Sequence, residues 1–310
     1  MDISLVFMGT PDFAVPALKQ LARSYHIKTV ITQPDRKAGR GRKITPSPVK
    51  TAAAELELEV FQPEDVNAVD SLRHISNLAP DLIIVSAFGQ ILTPSLLDIP
   101  RDGCLNIHAS LLPRWRGAAP INAALLAGDS ETGVTIIKMD PGLDTGPILS
   151  QRVVPIQKND TAGTLFDRLA DAGAELIVET IPEYLNGSLV PTQQDNNQAT
   201  YAAMLTRKDG NLDFSQSAVY IARMVRAFNP WPGTFMSWNG KRLLVHEAQA
   251  VNVTSPGQGV LTIYEGSPAV GTARGLLKLI KLQPAGKKVM SGKAFLNGNP
   301  GWGRDAADLT

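Results

Sequence analysis

The sequence predicts an α/β domain built on a parallel sheet, followed by a small β-barrel. Three observations carry that expectation. Short apolar runs alternate with stretches of helical periodicity through the first part of the chain, the pattern of βαβ units. The last third instead holds short apolar runs at roughly ten-residue spacing, as in a barrel or sandwich. The length of 310 residues suits two domains of roughly 100–200 residues each.

Residues 3–8 are an apolar run ended by Gly9-Thr10-Pro11. Residues 12–23 then space Phe13, Val15, Leu18, Leu21 and Ala22 as a helix would, with Pro16 in the first turn, where proline is tolerated. Further strands are expected at 27–32, 82–86 and 104–108, with helices at about 48–57 and 66–78 between them. Residues 133–139 and 148–154 read as two more strands, and 161–186 as a long helix with Thr161 as a candidate cap. The run Val190–Thr200 is polar, lacks apolar periodicity and follows Asn186-Gly187, so a linker is expected at 188–207. It separates a domain at 1–187 from one at 208–310. The second domain opens with a helix at 215–227, with Val219, Ile221, Met224, Val225 and Phe228 on one face. Short strands follow, and Asn239-Gly240 between two of them is a hairpin signal.

Charged residues make up 19% and hydrophobic residues 44%, the composition of a soluble chain with a packed core rather than a disordered one. The net charge of +1 hides an asymmetry. Residues 201–310 carry 13 basic and 6 acidic side chains, a net of +7, which leaves −6 on residues 1–200. An acidic body with a basic C-terminal portion suits a catalytic domain joined to a nucleic-acid-binding one. The single cysteine, Cys104, excludes an internal disulfide and fits a reducing compartment. No apolar run reaches the ~18 residues of a membrane span, and the N-terminus lacks the basic start of a signal peptide.

The common cofactor and catalytic motifs are missing. The first strand–helix turn reads Gly-Thr-Pro-Asp-Phe, which is not the dinucleotide fingerprint, and there is no phosphate loop and no nucleophile elbow. The four histidines are scattered and have no cysteine pair, so no metal is expected.

The unusual segment is Leu105-Asn106-Ile107-His108-Ala109-Ser110-Leu111-Leu112-Pro113. A strand alternates faces, so Asn106 and His108 share one face, about 6–7 Å apart at Cα. An amide and an imidazole aimed at one point suit an oxyanion. Cys104 shares the face but lies about 13 Å from His108, too far for a Cys–His nucleophile, and reads as a core residue. A working histidine needs a partner to fix its tautomer or charge. The Gly- and Pro-rich loop 140–147 offers Asp140 and Asp144, and spacing leaves the choice between them open. Arg36, Lys37, Arg40, Arg42 and Lys43 place five cations in eight positions after the second strand. Without apolar periodicity this stretch reads as an exposed, flexible loop suited to a phosphate backbone.

Taken together, Cys104–Ile121, Met8–Ala14, Gln33–Arg36 with Gly39–Gly41, Pro46–Lys50, Asp140–Gly146, Arg226–Pro232 and Leu282–Lys288 resemble, in order, the folate-dependent formyltransferases, and within them the methionyl-tRNA formyltransferase family. The resemblance implies a Rossmann-like formyltransferase domain followed by a barrel of the oligonucleotide-binding (OB-fold) type. It implies transfer of a formyl group from 10-formyltetrahydrofolate to the α-amino group of methionyl-initiator-tRNA, without a metal. By residue-level match it assigns catalysis to Asn106, His108 and Asp144, so it chooses between the two aspartates. The folate site falls on Ser110, Leu111, Leu112 and Pro113, with Phe88, Gly89, Ile91, Leu92 and Asp140 beside it. The tRNA contacts fall on Arg36, Lys37, Arg40, Arg42 and Lys43, with Lys287 and Lys288 on the C-terminal domain. A monomer of the cytoplasm is expected, with tRNA and folate as partners and no membrane. Lys37, Phe88 and Thr93 depart from the family's usual Pro, Tyr and Pro, and none belongs to the catalytic set. Three rivals lack support. A small amine acceptor needs neither the basic loop nor the basic barrel. A non-catalytic RNA-binding scaffold would not need Asn106, His108 and Asp144 intact. A nucleotide-dependent oxidoreductase would show the glycine fingerprint.

Overall fold

A computed structural model describes residues 3–38 and 43–303, and of residues 37, 38 and 43 the backbone. The elements follow in chain order as β1 (Ser4–Gly9), α1 (Val15–Ser24), β2 (His26–Ile31), β3 (Arg36–Ala38), β4 (Lys43–Thr45), α2 (Pro48–Glu55), β5 (Val60–Phe61) and α3 (Val69–Asn77). Next come β6 (Leu82–Ser86), α4 (Pro94–Leu97), β7 (Cys104–His108), β8 (Arg116–Gly117), α5 (Pro120–Ala127), β9 (Glu131–Lys138), β10 (Ile148–Pro155), α6 (Ala162–Leu185) and β11 (Tyr201–Ala202). The last third holds α7 (Ala218–Ala227), β12 (Thr234–Trp238), β13 (Lys241–Val251), β14 (Leu261–Tyr264), β15 (Ser267–Gly271), β16 (Leu276–Pro284), β17 (Met290–Ser291) and α8 (Gly292–Gly298).

The described residues form two compact units. The first takes in Met1–Pro120, Glu131–Pro155 and Phe166–Ala202, and the second Ile121–Ser130, Ile156–Leu165 and Ala203–Thr310. The first unit is built on a seven-stranded sheet of order β10-β9-β7-β6-β1-β2-β5. The five strands β5, β2, β1, β6 and β7 are parallel. The last two strands, whose direction the sequence does not specify, extend this parallel sheet by antiparallel pairing, β9 running antiparallel to β7 and β10 antiparallel to β9. The nine residues between β9 and β10 suffice for a hairpin loop but not for the crossover of a dozen or more residues that a parallel pair requires.

Strand alternation divides the core into two layers. Val6, Met8, Ile83, Val85 and Cys104 pack on one side of the sheet with Ile75 of α3 and Leu96 of α4. Leu5, Phe7 and Ile107 alternate to the other side. There α6 approaches so closely at Gly173 that a Cβ would stand 2.8 Å from the Ile107 methyl. Proline opens α2 at its first position, and Ser47 caps that helix by accepting from the Lys50 amide.

Two further expectations change. The basic stretch after β2 is a two-stranded hairpin, with β3 and β4 antiparallel, rather than an irregular loop throughout. The polar run at 188–202 is tied into the first unit: Ile148 and Thr192 exchange two backbone hydrogen bonds of 2.8 Å, and β11 pairs with β8. Composition marks this segment as a linker, but its polar side chains serve buried partners. Conversely, 121–130 and 156–165 go with the second unit, where Asn122 donates to the Ala227 carbonyl at 2.6 Å and Arg226 to that of Asp160 at 3.0 Å.

The second unit carries an antiparallel sheet of order β12-β13-β16-β15-β14, with β17 beside β16. Irregularities of register in β13 between Val245 and Ala248 bend its longest strand, as a small barrel requires. Asn239 and Gly240 both take positive φ, 49° and 65°, the geometry of a tight hairpin turn whose twist matches the flanking strands. Trp238 packs with the buried Phe295 and Trp302 as an aromatic cluster with centroid distances of 5.2 to 5.8 Å.

Candidate active site

The site is built where the parallel strands end. β7 presents Asn106 and His108 on the face that Cys104 shares, and Cys104 itself is buried in the core cluster. Burial pushes its thiol up to about 12, so it is inert at neutral pH.

His108 is 6% exposed. Its Nε2 lies 3.0 Å from the Trp115 carbonyl oxygen. A carbonyl only accepts, so Nε2 carries the proton and donates it. Nδ1, on the other side of the ring, stands 3.6 Å from Asp144 Oδ2. Asn106 Nδ2 donates to Asp144 Oδ1 at 3.4 Å, and the Gly117 backbone N–H donates to Asp144 Oδ2 at 2.9 Å. One carboxylate thus gathers the amide, the imidazole and a fixed backbone donor. The contacts from Asn106 and His108 are long, whereas that from Gly117 is of ordinary length. Asp144 is anchored by backbone while its two side-chain neighbours are held loosely against it.

The loop that supplies Asp144 follows β9. Its ends close where the Lys138 amide donates to the Pro147 carbonyl at 3.0 Å. Asp140 shapes it from inside, accepting from the Gly142 amide at 3.1 Å and from Thr145 Oγ1 at 2.6 Å. The structure therefore separates two carboxylates that spacing leaves equivalent. Asp144 meets Asn106 and His108, and Asp140 makes turn hydrogen bonds. Asp144 and Trp115 both sit at positive φ, 53° and 62°, a region costly for side-chain-bearing residues and one that clusters at working sites.

The residues matched to the folate site divide into surface and support. Gly89, with φ +90°, and Ile91 are exposed after β6, and Leu111, Pro113 and Asp140 are partly exposed. Phe88 and Leu92 belong to the core cluster, so their side chains hold the 87–91 loop from beneath. The Phe88 carbonyl accepts from Thr10 Oγ1 at 2.8 Å. Leu112 and Ser110 are buried, and Ser110 Oγ donates to the Arg114 carbonyl at 2.6 Å. Thr135 Oγ1 donates to the Ser110 carbonyl and accepts from the Leu112 amide, which pins the turn after β7.

Of the cations matched to tRNA, Arg36 is exposed at the start of β3. Arg40 and Arg42 lie outside the described residues, as do the side chains of Lys37 and Lys43. Lys287 and Lys288 are exposed in the turn between β16 and β17, where Gln283 Nε2 donates to the Lys287 carbonyl at 2.9 Å. Sequence reasoning missed the Trp115 carbonyl, the Gly117 amide, buried Arg116 and Gln194. The first three lie inside the segment that carries the family resemblance, but backbone donors and acceptors leave no side-chain signal. Gln194 lies in a run whose composition says only linker. Among the described residues, no group of three or more His, Cys, Asp or Glu side chains could hold a metal ion, and no helix is long and apolar enough to cross a membrane.

Residues 2–181 match the formyl transferase family model, and residues 204–300 match that of the formyl transferase C-terminal domain. The chain is 46% identical over 299 residues to methionyl-tRNA formyltransferase of Marinobacter nauticus, covering 95% of this chain and 96% of that protein. Solved structures share the fold at lower identity. An N-formyltransferase from Helicobacter canadensis, in complex with folinic acid and dTDP-3-aminofucose, superposes with a TM-score of 0.66 at 20% identity, over 89% of this chain and 99% of that one. HypX from Aquifex aeolicus, in complex with tetrahydrofolic acid, gives a TM-score of 0.61 at 17% identity, over 96% of this chain and 47% of that one.

Proposed function

The chain belongs to the formyl transferase family, and on that premise we propose that it transfers the formyl group of 10-formyltetrahydrofolate to the α-amino group of methionyl-initiator-tRNA. The observation that carries the chemistry is the convergence of Asn106 and His108 on Asp144. The folate supplies an activated formyl carbon, and the protein supplies orientation and charge. The chemistry of the site suits that donor. Exposed apolar side chains, Ile91 and Leu143, stand on two of the loops matched to the folate site, and the 87–91 loop offers exposed backbone at Gly89.

The acceptor's α-amine, with a reference pKa near 7.7–8.0, is readily neutral at physiological pH. Its attack on the formyl carbon places negative charge on the formyl oxygen. Asn106 Nδ2 is one donor to that oxygen. His108, with Nε2–H committed to the Trp115 carbonyl, offers Nδ1–H as the second donor when the ring carries both protons. Because these two donors rest only loosely on Asp144, they turn to the oxyanion at little cost. As the carbon–nitrogen bond to the folate breaks, the proton lost by the attacking amine is matched by the one gained by the departing nitrogen. No covalent enzyme intermediate is needed. Asn106, His108 and Asp144 are thus the catalytic set, and the exposed or partly exposed residues 89–91, 111, 113 and 140–143 form the folate surface, with the buried Phe88, Leu92, Ser110 and Leu112 as its support.

In this reading the first unit, which extends past the expected boundary at 187 to take in the 188–202 strap, carries catalysis, the second unit carries tRNA binding, and the protein works as a monomer in the cytoplasm. The basic hairpin at 36–43 and Lys287 with Lys288 contact the tRNA backbone. The test is transfer of labelled formyl from 10-formyltetrahydrofolate to charged initiator tRNA, with charged elongator methionine tRNA as control. Label should enter the initiator aminoacyl-tRNA far faster. Absence of label would remove the reading.

A further inference from the structure

Arg116 is 1% exposed, yet among the described residues its guanidinium is held by amide oxygens rather than by a carboxylate. Nε and Nη2 both donate to Gln194 Oε1, at 3.0 and 2.7 Å, and Nη2 also donates to Asn196 Oδ1 at 2.9 Å. Burying an ionised group without a counter-charge is costly unless strong hydrogen bonds replace its water. The forked guanidinium therefore fixes the Gln194 amide in one orientation, with the oxygen toward Arg116 and the nitrogen away from it.

That nitrogen reaches the catalytic loop. Gln194 Nε2 donates to the Asp144 carbonyl at 2.8 Å and to the Gly146 carbonyl at 2.7 Å. The same loop holds Asp144 at φ 53°, a conformation that persists only when its surroundings over-determine it. The next residue after Arg116 closes the circuit, since the Gly117 amide donates to Asp144 Oδ2. The strap carrying Gln194 is itself fastened to this turn: Thr200 Oγ1 accepts from the Trp115 amide at 2.9 Å, and the Thr200 carbonyl from the Arg116 amide, also at 2.9 Å.

We propose that Gln194 is a positioning residue for formyl transfer, a bridge that uses the buried Arg116 cation to aim its amide N–H groups at the Asp144 and Gly146 carbonyls and so holds the Asp144 carboxylate against His108 and Asn106. The inference rests on the catalytic reading of Asp144 given above. It makes the 188–202 strap part of the machinery, acting through the backbone of the loop that carries Asp144. The neighbours Gln193, Asp195 and Asn196 are exposed, and Gln194 itself is partly exposed.

The discriminating variant is Gln194→Glu. A carboxylate keeps and strengthens the contact with Arg116, but it has no N–H for the two carbonyls and repels them. If Gln194 merely satisfies Arg116, Gln194→Glu behaves as the parent protein and only Gln194→Ala is impaired. If Gln194 positions Asp144, both variants lose turnover, by about 10-fold or more, because displacement of a working group by about 1 Å can cost 10²-fold. In that case Gln194→Glu keeps the parent's far-ultraviolet circular dichroism and a cooperative thermal transition, and the Michaelis constant for methionyl-tRNA is unchanged. Parent-like turnover in Gln194→Glu overturns the proposal. A second readout is independent of the acceptor: exchange protection of the Gly117 amide, whose hydrogen bond to Asp144 Oδ2 reports where that carboxylate sits. Protection should fall in both variants, and unchanged protection overturns the proposal. If the parent protein fails to formylate methionyl-tRNA, the functional reading is lost, while the amide-exchange result still decides whether Gln194 holds Asp144.

Discussion

In the proposed mechanism Asn106 and His108 act on charge that exists only while the formyl carbon is tetrahedral, so their removal should be felt in turnover rather than in binding. His108→Ala, and separately Asn106→Ala, should each lower kcat by at least about 10²-fold, the size of one missing oxyanion donor, and leave folate affinity nearly unchanged. Steady-state kinetics with a folate-binding titration checks this, and near-parental kcat in either variant would assign the oxyanion elsewhere. Cys104, four residues before His108 on the same face, gives the opposite case. Burial holds its thiol protonated up to about 12, against an ordinary value of 9.0, so it should resist alkylation in the folded protein. The sign of its pH linkage follows. Below pH 9 both folded and unfolded chains keep the proton, and the stability due to burying the neutral thiol is fully present. As the pH rises from 9 toward 12 the unfolded chain releases a proton that the folded one retains, so stability falls, by about 1.4 kcal/mol per pH unit at most. Urea denaturation of the parent and of Cys104→Ala at about pH 8 and about pH 10 isolates this effect: the parent's advantage should shrink at the higher pH. A constant difference would place the thiol in water.

The loop between β9 and β10 is the element on which the site depends, and its closure has no spare room. A Cβ on Gly146 would stand 1.8 Å from the Lys138 carbonyl oxygen, a backbone atom that cannot step aside. A Cβ on Gly142 meets the Thr145 hydroxyl at the same 1.8 Å, but a hydroxyl can rotate away at the cost of its bond to Asp140. Gly146→Ala should therefore lower kcat by about 10²-fold or more, through misplacement of Asp144, and Gly142→Ala should cost clearly less. Far-ultraviolet circular dichroism should stay parental in both, and equal kinetics of the two variants would contradict the ranking. This loop also marks how far the sequence could be read. β7 is legible to the residue because apolar alternation and Asn-x-His coincide there. The direction of β9 and β10 is not carried by periodicity, which is the same for parallel and antiparallel strands; only the short connection between them bears on it. The hairpin β3–β4 was hidden for a related reason, since three-residue strands rich in cations carry too little apolar pattern to register.

At the scale of the molecule, composition located the division of charge but not the boundaries of the units. Backbone pairing of β11 with β8 draws the 188–202 strap to the first unit against its linker-like composition, and only the fold reveals that Gln194 and Asn196 satisfy a buried arginine. The charge division nevertheless yields a test. Residues 1–200 carry −6, yet five of their cations fall within positions 36–43, while residues 201–310 carry +7 with Lys287 and Lys288 exposed on one turn. A lysine that meets a phosphate on the C-terminal domain contributes affinity without touching the chemistry. Lys287→Ala combined with Lys288→Ala should raise the Michaelis constant for tRNA and reduce the dependence of log affinity on log salt by about 1 for each lysine that pairs with a phosphate, with kcat preserved. The hairpin belongs to the unit that holds Asn106 and His108, so cations there should also place the aminoacyl end relative to the formyl carbon. Arg36→Ala, Arg40→Ala and Arg42→Ala should therefore lower kcat as well as affinity. Steady-state kinetics with initiator tRNA at two salt concentrations separates the two effects. Loop variants with parental kcat, parental salt dependence and intact folate binding would reduce the hairpin to a solvated run of charge.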